Sequence, residues 1–142
     1  GRAVELAVEL VTSGRFPMST IMTPLRTISE LDDPSVVKVL ADKTDRAIYF
    51  SRHPIPYSRG PRPSSGNFAC HRHVGLYVYT RETLARFRGL PPSPIEQGEV
   101  LEQLRALEAG IPIGIVEHDF VSLGVDTPED LKRVEDFLRG QS

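Results

Sequence analysis

The sequence predicts an α/β domain in which helices flank a largely parallel or mixed β-sheet. Two observations indicate this class. Strand-like and helix-like segments alternate through the second half, and residues 36–52 of the first half have the pattern of a β-hairpin. The 142 residues suit one domain over residues 1–142, and their 39% apolar and 25% charged side chains are typical of a soluble globular protein.

Charge and cysteine content exclude several functional classes. A net charge of −2 provides no basic footprint for nucleic acid or for an anionic membrane surface. No apolar run approaches the ~20 residues of a membrane-spanning helix, and no secretory signal opens the sequence. The lone Cys70 excludes an internal disulfide and favours a reducing compartment. We interpret it as a buried thiol rather than as a metal ligand or nucleophile.

Apolar spacing and turn residues place the individual elements. In the first half they predict a helix over residues 3–12, a strand over residues 16–25, hairpin strands over residues 36–40 and 46–52, and a proline-rich loop over residues 53–68. In the second half they predict strands over residues 73–79, 111–118 and 123–125, and helices over residues 80–89, 93–110 and from Thr127 onward.

The helix over residues 93–110 has clear ends and an acidic middle. Ser93 and Glu96 have the spacing of a capping box, and Gly110 supplies a left-handed residue at the end. In a continuous helix, Glu102 and Gln103 would share a face with Glu99, since they follow it by three and four residues. We interpret Glu99 itself as a solvated side chain.

The strand over residues 73–79 carries a candidate ligand site. Alternation puts His73, Gly75, Tyr77 and Tyr79 on one face, and Arg72 on the other. Gly75 would leave a notch between two hydrogen-bonding side chains, which suits a small polar ligand. The alternative is that His73 and Tyr77 simply cover the edge of a sheet.

Two further groups of residues could bind a charged ligand. Asp126 follows a predicted strand, where a carboxylate can hold Mg²⁺ against substrate phosphates; the alternative is an ordinary turn residue beside Thr127. Arg52, Arg59 and Arg62 flank or occupy the proline-rich loop. Arginine suits planar recognition of a carboxylate, although exposed loop arginines are often only solvated.

Four segments together resemble the 3-deoxy-D-manno-octulosonate (KDO) cytidylyltransferases, also called CMP-KDO synthetases. These segments are "YFSRHPIPYSR", "NFACHRHVGLYVYTRETLARF", "LPPSPIEQGEVLEQLRALEAG" and "GVDTPEDLKRV". The resemblance extends over essentially the whole chain and implies a nucleotide-diphospho-sugar-transferase-like fold with a mixed sheet and flanking helices. It also implies a cytoplasmic homodimer that converts CTP and KDO to CMP-KDO and pyrophosphate for lipopolysaccharide synthesis.

The resemblance also implies roles for individual residues. It assigns KDO binding to a set formed by Arg59, His73, Tyr77, Glu102 and Gln103, with Arg52 as a further contact. It assigns Asp126 as one of two Mg²⁺-binding aspartates, with a share in polarising the attacking hydroxyl. The polar face of the 93–110 helix is thereby interpreted as a surface for a sugar rich in hydroxyl groups.

Two patterns of this family are not found in the 142 residues. They are the triphosphate loop "PAR-x-x-S-x-R-L-P-G-K-P" and the "QGDEP" segment that carries the other metal aspartate. We therefore expect a sugar-binding and dimerising portion that lacks the N-terminal nucleotide-binding half and is inactive alone. The alternatives are a related sialic-acid cytidylyltransferase, or a non-catalytic module for sugar-acid binding or dimerisation.

Overall fold

The computed structural model of the chain describes residues 1–119 and 128–139. The helices in this part are α1 (Arg2–Thr12), α2 (Ile28–Asp32), α3 (Arg81–Gly89), α4 (Pro94–Glu99), α5 (Gln103–Glu108) and α6 (Pro128–Arg139). The strands are β1 (Met18–Pro24), β2 (Lys38–Ala41), β3 (Ala47–Ser51), β4 (His71–Tyr79) and β5 (Ile113–Glu117). Among these described helices, none is long and apolar enough to cross a membrane.

The five strands form one mixed sheet in the order β3-β2-β4-β1-β5. The predicted hairpin is confirmed, because β2 and β3 pair antiparallel. Strand β4 lies antiparallel between β2 and β1, and only the β1–β5 pair is parallel within the described part of the chain. The prediction of a mixed sheet is therefore confirmed, with antiparallel pairs in the majority.

Helices cover both faces of this sheet, as the class predicts. Helix α1 packs on one face, where Ala3 and Ala7 meet Ile21 of β1. The Ser19 hydroxyl also donates to the Ala7 carbonyl at 2.6 Å, which fixes α1 to the sheet. The main core on the other face includes Met18, Met22, Val39, Phe50, Phe87, Leu101, Leu104, Ile113 and Ile115. Burial of this apolar surface is the main stabilising contribution.

A bulge in β4 determines the shape of the candidate site. Thr20 of β1 pairs with Tyr77, but the next residue, Ile21, pairs with Val74. Two residues of β4, Gly75 and Leu76, are therefore extra. Because an even number is inserted, the alternation of faces is preserved on both sides of the bulge.

The predicted continuous helix over residues 93–110 is wrong. The Ser93–Glu96 capping box forms, and Gly110 has the predicted positive φ of 75°. However, the helix is interrupted between α4 and α5, where Val100 adopts a left-handed conformation with φ 55°. The break leaves Val100 73% exposed while turning Leu101 into the core. Gly98, a poor helix former, is the one local signal for this break.

Candidate functional site

A cavity of about 320 Å³ lies beside the β4 bulge. It brings together three of the predicted site residues, His73, Tyr77 and Gln103, and Gly75 lies among them as the notch predicts. The remaining lining residues are Ser35, Val36, Val37, Arg72 and Leu101. These residues come from three segments, which we call the floor (β4) and the two walls (segment 35–37 and the start of α5).

His73 is held in one tautomer by Thr20, which is completely buried. The Thr20 hydroxyl oxygen lies 2.7 Å from the Leu76 carbonyl, 3.1 Å from the Val74 carbonyl and 2.9 Å from Nε2 of His73. A hydroxyl has one proton to donate, and a carbonyl at 2.7 Å can only accept it. The His73 Nε2–H therefore donates to Thr20, which leaves Nδ1 as a hydrogen-bond acceptor.

Burial also keeps His73 uncharged. Desolvation lowers its pKa from 6.5 to about 4, because the imidazolium ion is poorly solvated between aromatic rings. The Phe50 ring meets the imidazole edge to face at 4.9 Å, and the Tyr77 ring lies 5.5 Å away. At neutral pH the floor of the cavity therefore carries a neutral imidazole with a fixed acceptor.

Tyr77 supplies a donor that stays protonated. Burial raises the pKa of its phenol well above the ordinary value of 10, and nearby Tyr79 and Glu102 raise it further. Glu102 itself is exposed and is not among the described lining residues of the cavity. The side chain of Gln103 is buried and lines the cavity directly.

The sequence-based interpretation of Glu99 as a solvated residue is wrong. Its carboxylate accepts hydrogen bonds from the Ser51 hydroxyl at 2.6 Å, the Arg52 amide at 2.9 Å and the Tyr49 hydroxyl at 3.3 Å. Burial alone would raise the pKa of Glu99, but these three bonds outweigh it and lower the pKa. Because the helix breaks after Glu99, Glu102 and Gln103 do not continue its helical face.

Arg52 completes a clasp with Glu99 and joins the two walls of the cavity. Its guanidinium donates to the carbonyls of Glu99 at 3.0 Å and Val100 at 3.2 Å, on the side of α5. It also donates to the Pro34 carbonyl at 3.0 Å, next to the wall segment 35–37. Arg52 is not among the described lining residues of the β4 cavity, so its direct contact with a ligand stays a prediction.

A buried lysine supports the wall on the β2 side. Lys38 is fully buried, and its ammonium group donates to the carbonyls of Asp33 at 2.9 Å and Val36 at 2.6 Å. Burial lowers its pKa, and the nearby positive charge of Arg52 acts in the same direction. These bonds hold the segment that leads into residues 35–37.

The proline-rich loop surrounds a separate, outer cleft of about 760 Å³. Arg52, Arg62 and Glu99 line this cleft, and Arg62 is paired with Asp32. Arg59 is exposed on the same loop and lines neither the outer cleft nor the β4 cavity. The structure therefore does not bring Arg59 next to His73 and Tyr77 in this arrangement of the loop.

The metal prediction cannot be placed on this geometry. Asp126, the expected Mg²⁺ ligand, lies outside the described residues. Within residues 1–119 and 128–139, no group of three or more His, Cys, Asp or Glu side chains could hold a metal ion.

Cys70 is buried, as predicted, and burial raises the pKa of its thiol.

Three residues important for this geometry were missed by sequence reasoning, namely Thr20, Lys38 and Glu99. Thr20 and Lys38 lie in strand patterns that gave no reason to separate them from ordinary sheet residues. Glu99 accepts hydrogen bonds from Ser51 and Arg52, which precede it in the chain by 48 and 47 positions. No local pattern reports such a distant partner.

Replacing Thr20 by Val tests the role of its hydroxyl. Valine has nearly the same shape, but it would leave the Leu76 carbonyl and the His73 Nε2–H without their partner. We expect T20V to lower the free energy of unfolding by about 1–3 kcal/mol and T20S to retain most of it. Denaturant unfolding measures both changes, and a T20V protein as stable as the parent would contradict this role.

Replacing Glu99 by Gln tests the clasp. The pKa of Glu99 is lowered in the folded state, so its ionised carboxylate stabilises the protein at pH values above the ordinary pKa of 4.5. This contribution is lost as the pH falls through the pKa of the folded state. We expect E99Q to be less stable by about 1–3 kcal/mol at pH 7, with the difference shrinking at acidic pH. The exposed Glu108, replaced in E108Q, is the matched control. If the difference in stability between E99Q and the parent were the same at pH 7 and at acidic pH, the clasp would be contradicted.

Comparison with known proteins places this geometry in a family. The sequence profile described as cytidylyltransferase matches residues 3–117. The chain is 54% identical over 130 residues to the 3-deoxy-manno-octulosonate cytidylyltransferase of Syntrophotalea carbinolica, covering 88% of this chain and 52% of that protein. It is 48% identical over 133 residues to the enzyme of that name from Solibacter usitatus, covering 93% of this chain and 52% of that protein.

A solved structure agrees with the sequence relatives. The structure of CMP:2-keto-3-deoxy-manno-octonic acid synthetase complexed with CTP superposes with a TM-score of 0.88 at 36% identity, covering 99% of this chain and 57% of that one. The chain thus spans about half the length of the relatives it matches. A family profile that covers most of the chain, together with the matching fold, shows that the chain belongs to the cytidylyltransferase family.

Proposed function

We propose that the protein acts as a 3-deoxy-manno-octulosonate cytidylyltransferase and that the β4 cavity binds the sugar acid. In the proposed reaction, the anomeric hydroxyl oxygen of the sugar acid attacks the α-phosphorus of CTP. A new P–O bond forms, the bond to pyrophosphate breaks, and the hydroxyl proton is released. Such transfers depend mainly on positioning and on charge stabilisation.

The hydrogen-bonding composition of the cavity carries this proposal. His73 Nδ1 can accept a hydrogen bond from a sugar hydroxyl, the Tyr77 phenol can donate one, and the Gln103 amide can do both. A polyhydroxylated sugar acid requires this mixture of donors and acceptors. The size of about 320 Å³ is adequate for one sugar-sized ligand.

The proposed role of His73 is binding rather than proton abstraction. A general base works best when its pKa is near the operating pH. The pKa of His73, lowered to about 4 by burial, makes it a weak base at neutral pH. Its fixed acceptor instead orients one sugar hydroxyl. Glu102, at the margin of the cavity, and Arg59, on the proline-rich loop, are proposed as further contacts.

The remaining parts of the proposal rest on the family resemblance. Magnesium is the proposed cofactor, which when bound would neutralise phosphate charge, and Asp126 is the residue of this chain proposed to hold it. CTP is the proposed second substrate, in line with the CTP complex of the structural relative. A homodimer acting in the cytoplasm in lipopolysaccharide synthesis completes the proposal.

Binding of the sugar acid tests this function at the site itself. Calorimetric titration of the chain with KDO should give saturable binding, while N-acetylneuraminate should bind more weakly. Replacing Gln103 by Leu removes the amide without changing the side-chain size greatly. We expect Q103L to weaken KDO binding about 10-fold, which corresponds to the loss of one hydrogen bond.

The exposed Gln97 of α4 offers the matched control, because Q97L makes the same chemical change outside the cavity. Q97L should bind KDO like the parent. A folded chain that binds no KDO, or a Q103L protein that binds it normally, would contradict the proposed site. Stronger binding of N-acetylneuraminate than of KDO would instead point to a sialic-acid cytidylyltransferase.

A further inference from the structure

We propose that Arg72 recognises the carboxylate of the sugar acid and so selects acids over neutral sugars. This inference rests on the proposed function, which supplies a ligand with one carboxylate. It assigns to Arg72 a role that neither strand alternation nor the family resemblance assigns, since alternation predicts that its side chain lies on the opposite face. The structure instead places Arg72 among the lining residues of the β4 cavity.

Arg72 gives the cavity a positive charge. Of the described residues that line the cavity, Arg72 alone carries a positive charge. His73 is neutral, and the nearby Glu102 is an anion that would repel a carboxylate. An anionic sugar that enters this cavity therefore has one cation on the wall with which to pair.

The hydrogen-bond donors of the Arg72 guanidinium are not taken by other described residues. Its side chain is 31% exposed, and its charge contributes to lowering the pKa of Asp33. Its described ion-pair partner is Glu30, at 3.6 Å between Nη1 and Oε1. That distance is too long for a hydrogen bond. Among the described residues, no acceptor therefore takes a hydrogen bond from the five N–H groups of this guanidinium.

Other arginines of the same region differ in this respect. Arg52 donates to three carbonyls, while Arg105 donates to Glu96 at 2.6 and 2.8 Å. These guanidinium groups are committed to holding the fold. Arg72 is held less tightly, so a carboxylate can take a bidentate pair of hydrogen bonds from it without breaking an existing one.

Glu30 keeps the free guanidinium in place. Its other carboxylate oxygen accepts from the amides of Arg26 at 2.7 Å and Thr27 at 3.1 Å, as part of the cap of α2. The carboxylate is thereby fixed near Arg72 and attracts it without saturating its donors.

The test compares two ligands that differ only in charge, KDO and its primary carboxamide. Arg72 is replaced by Gln in R72Q, and the exposed Arg88 of α3 is replaced by Gln in R88Q as the matched control. We expect R72Q to weaken binding of the acid about 10- to 100-fold and binding of the amide less than about 2-fold. R72K should recover only part of the loss, because an ammonium group cannot make the bidentate pair. R88Q should match the parent for both ligands.

Each outcome bears on the inference. Normal binding of the acid by R72Q, or an equal loss for acid and amide, would overturn the role of Arg72 while leaving the proposed function intact. The amide also reports whether R72Q retains a folded cavity. Binding of neither ligand by the parent chain would overturn both this inference and the proposed sugar site.

Discussion

The buried hydroxyl of Thr20 is the interaction on which the candidate site depends. Its oxygen lies within hydrogen-bond distance of the Val74 and Leu76 carbonyls beside the bulge and of His73 Nε2. Backbone carbonyls buried at a bulge are costly unless they find a donor. The hydroxyl gives its one proton to the nearer carbonyl, that of Leu76, and accepts from His73, so the same side chain supports the bulge and fixes the tautomer of the ring.

The walls of the cavity are held by polar groups rather than by apolar packing alone. The Glu99–Arg52 clasp ties the end of β3 to the kink at Val100 and to the Pro34 carbonyl. A β-branched residue in a left-handed conformation is unfavourable, so its neighbours must hold it there. The Arg52 guanidinium provides that support, because it donates to the carbonyls of the two peptide groups that flank Val100, those of Glu99 and Val100. A rigid kink then places Gln103 at the cavity.

Sequence reasoning located most of the elements and predicted that His73, Gly75 and Tyr77 share one face, and its failures have physical causes. That His73 and Tyr77 lie on the same face, on either side of Gly75, was predictable because a two-residue bulge preserves the alternation of faces along β4. The place of Arg72 among the cavity-lining residues was not predictable from alternation, which puts its side chain on the face opposite that of His73. The helix break at Val100 was hidden by good capping signals at both outer ends. The function of Glu99 depends on contacts with β3, which no helical pattern contains.

The state of the His73 ring tests the central claim most directly. Nitrogen-15 NMR of the imidazole reports its tautomer, its pKa and its contact with ligand in one experiment. The account predicts a neutral Nε2–H ring at pH 7 that protonates only near pH 4, with the Nδ1 resonance shifting when KDO is added. A ring that titrates near 6.5, an Nδ1–H tautomer, or an Nδ1 resonance unmoved by saturating KDO would contradict it.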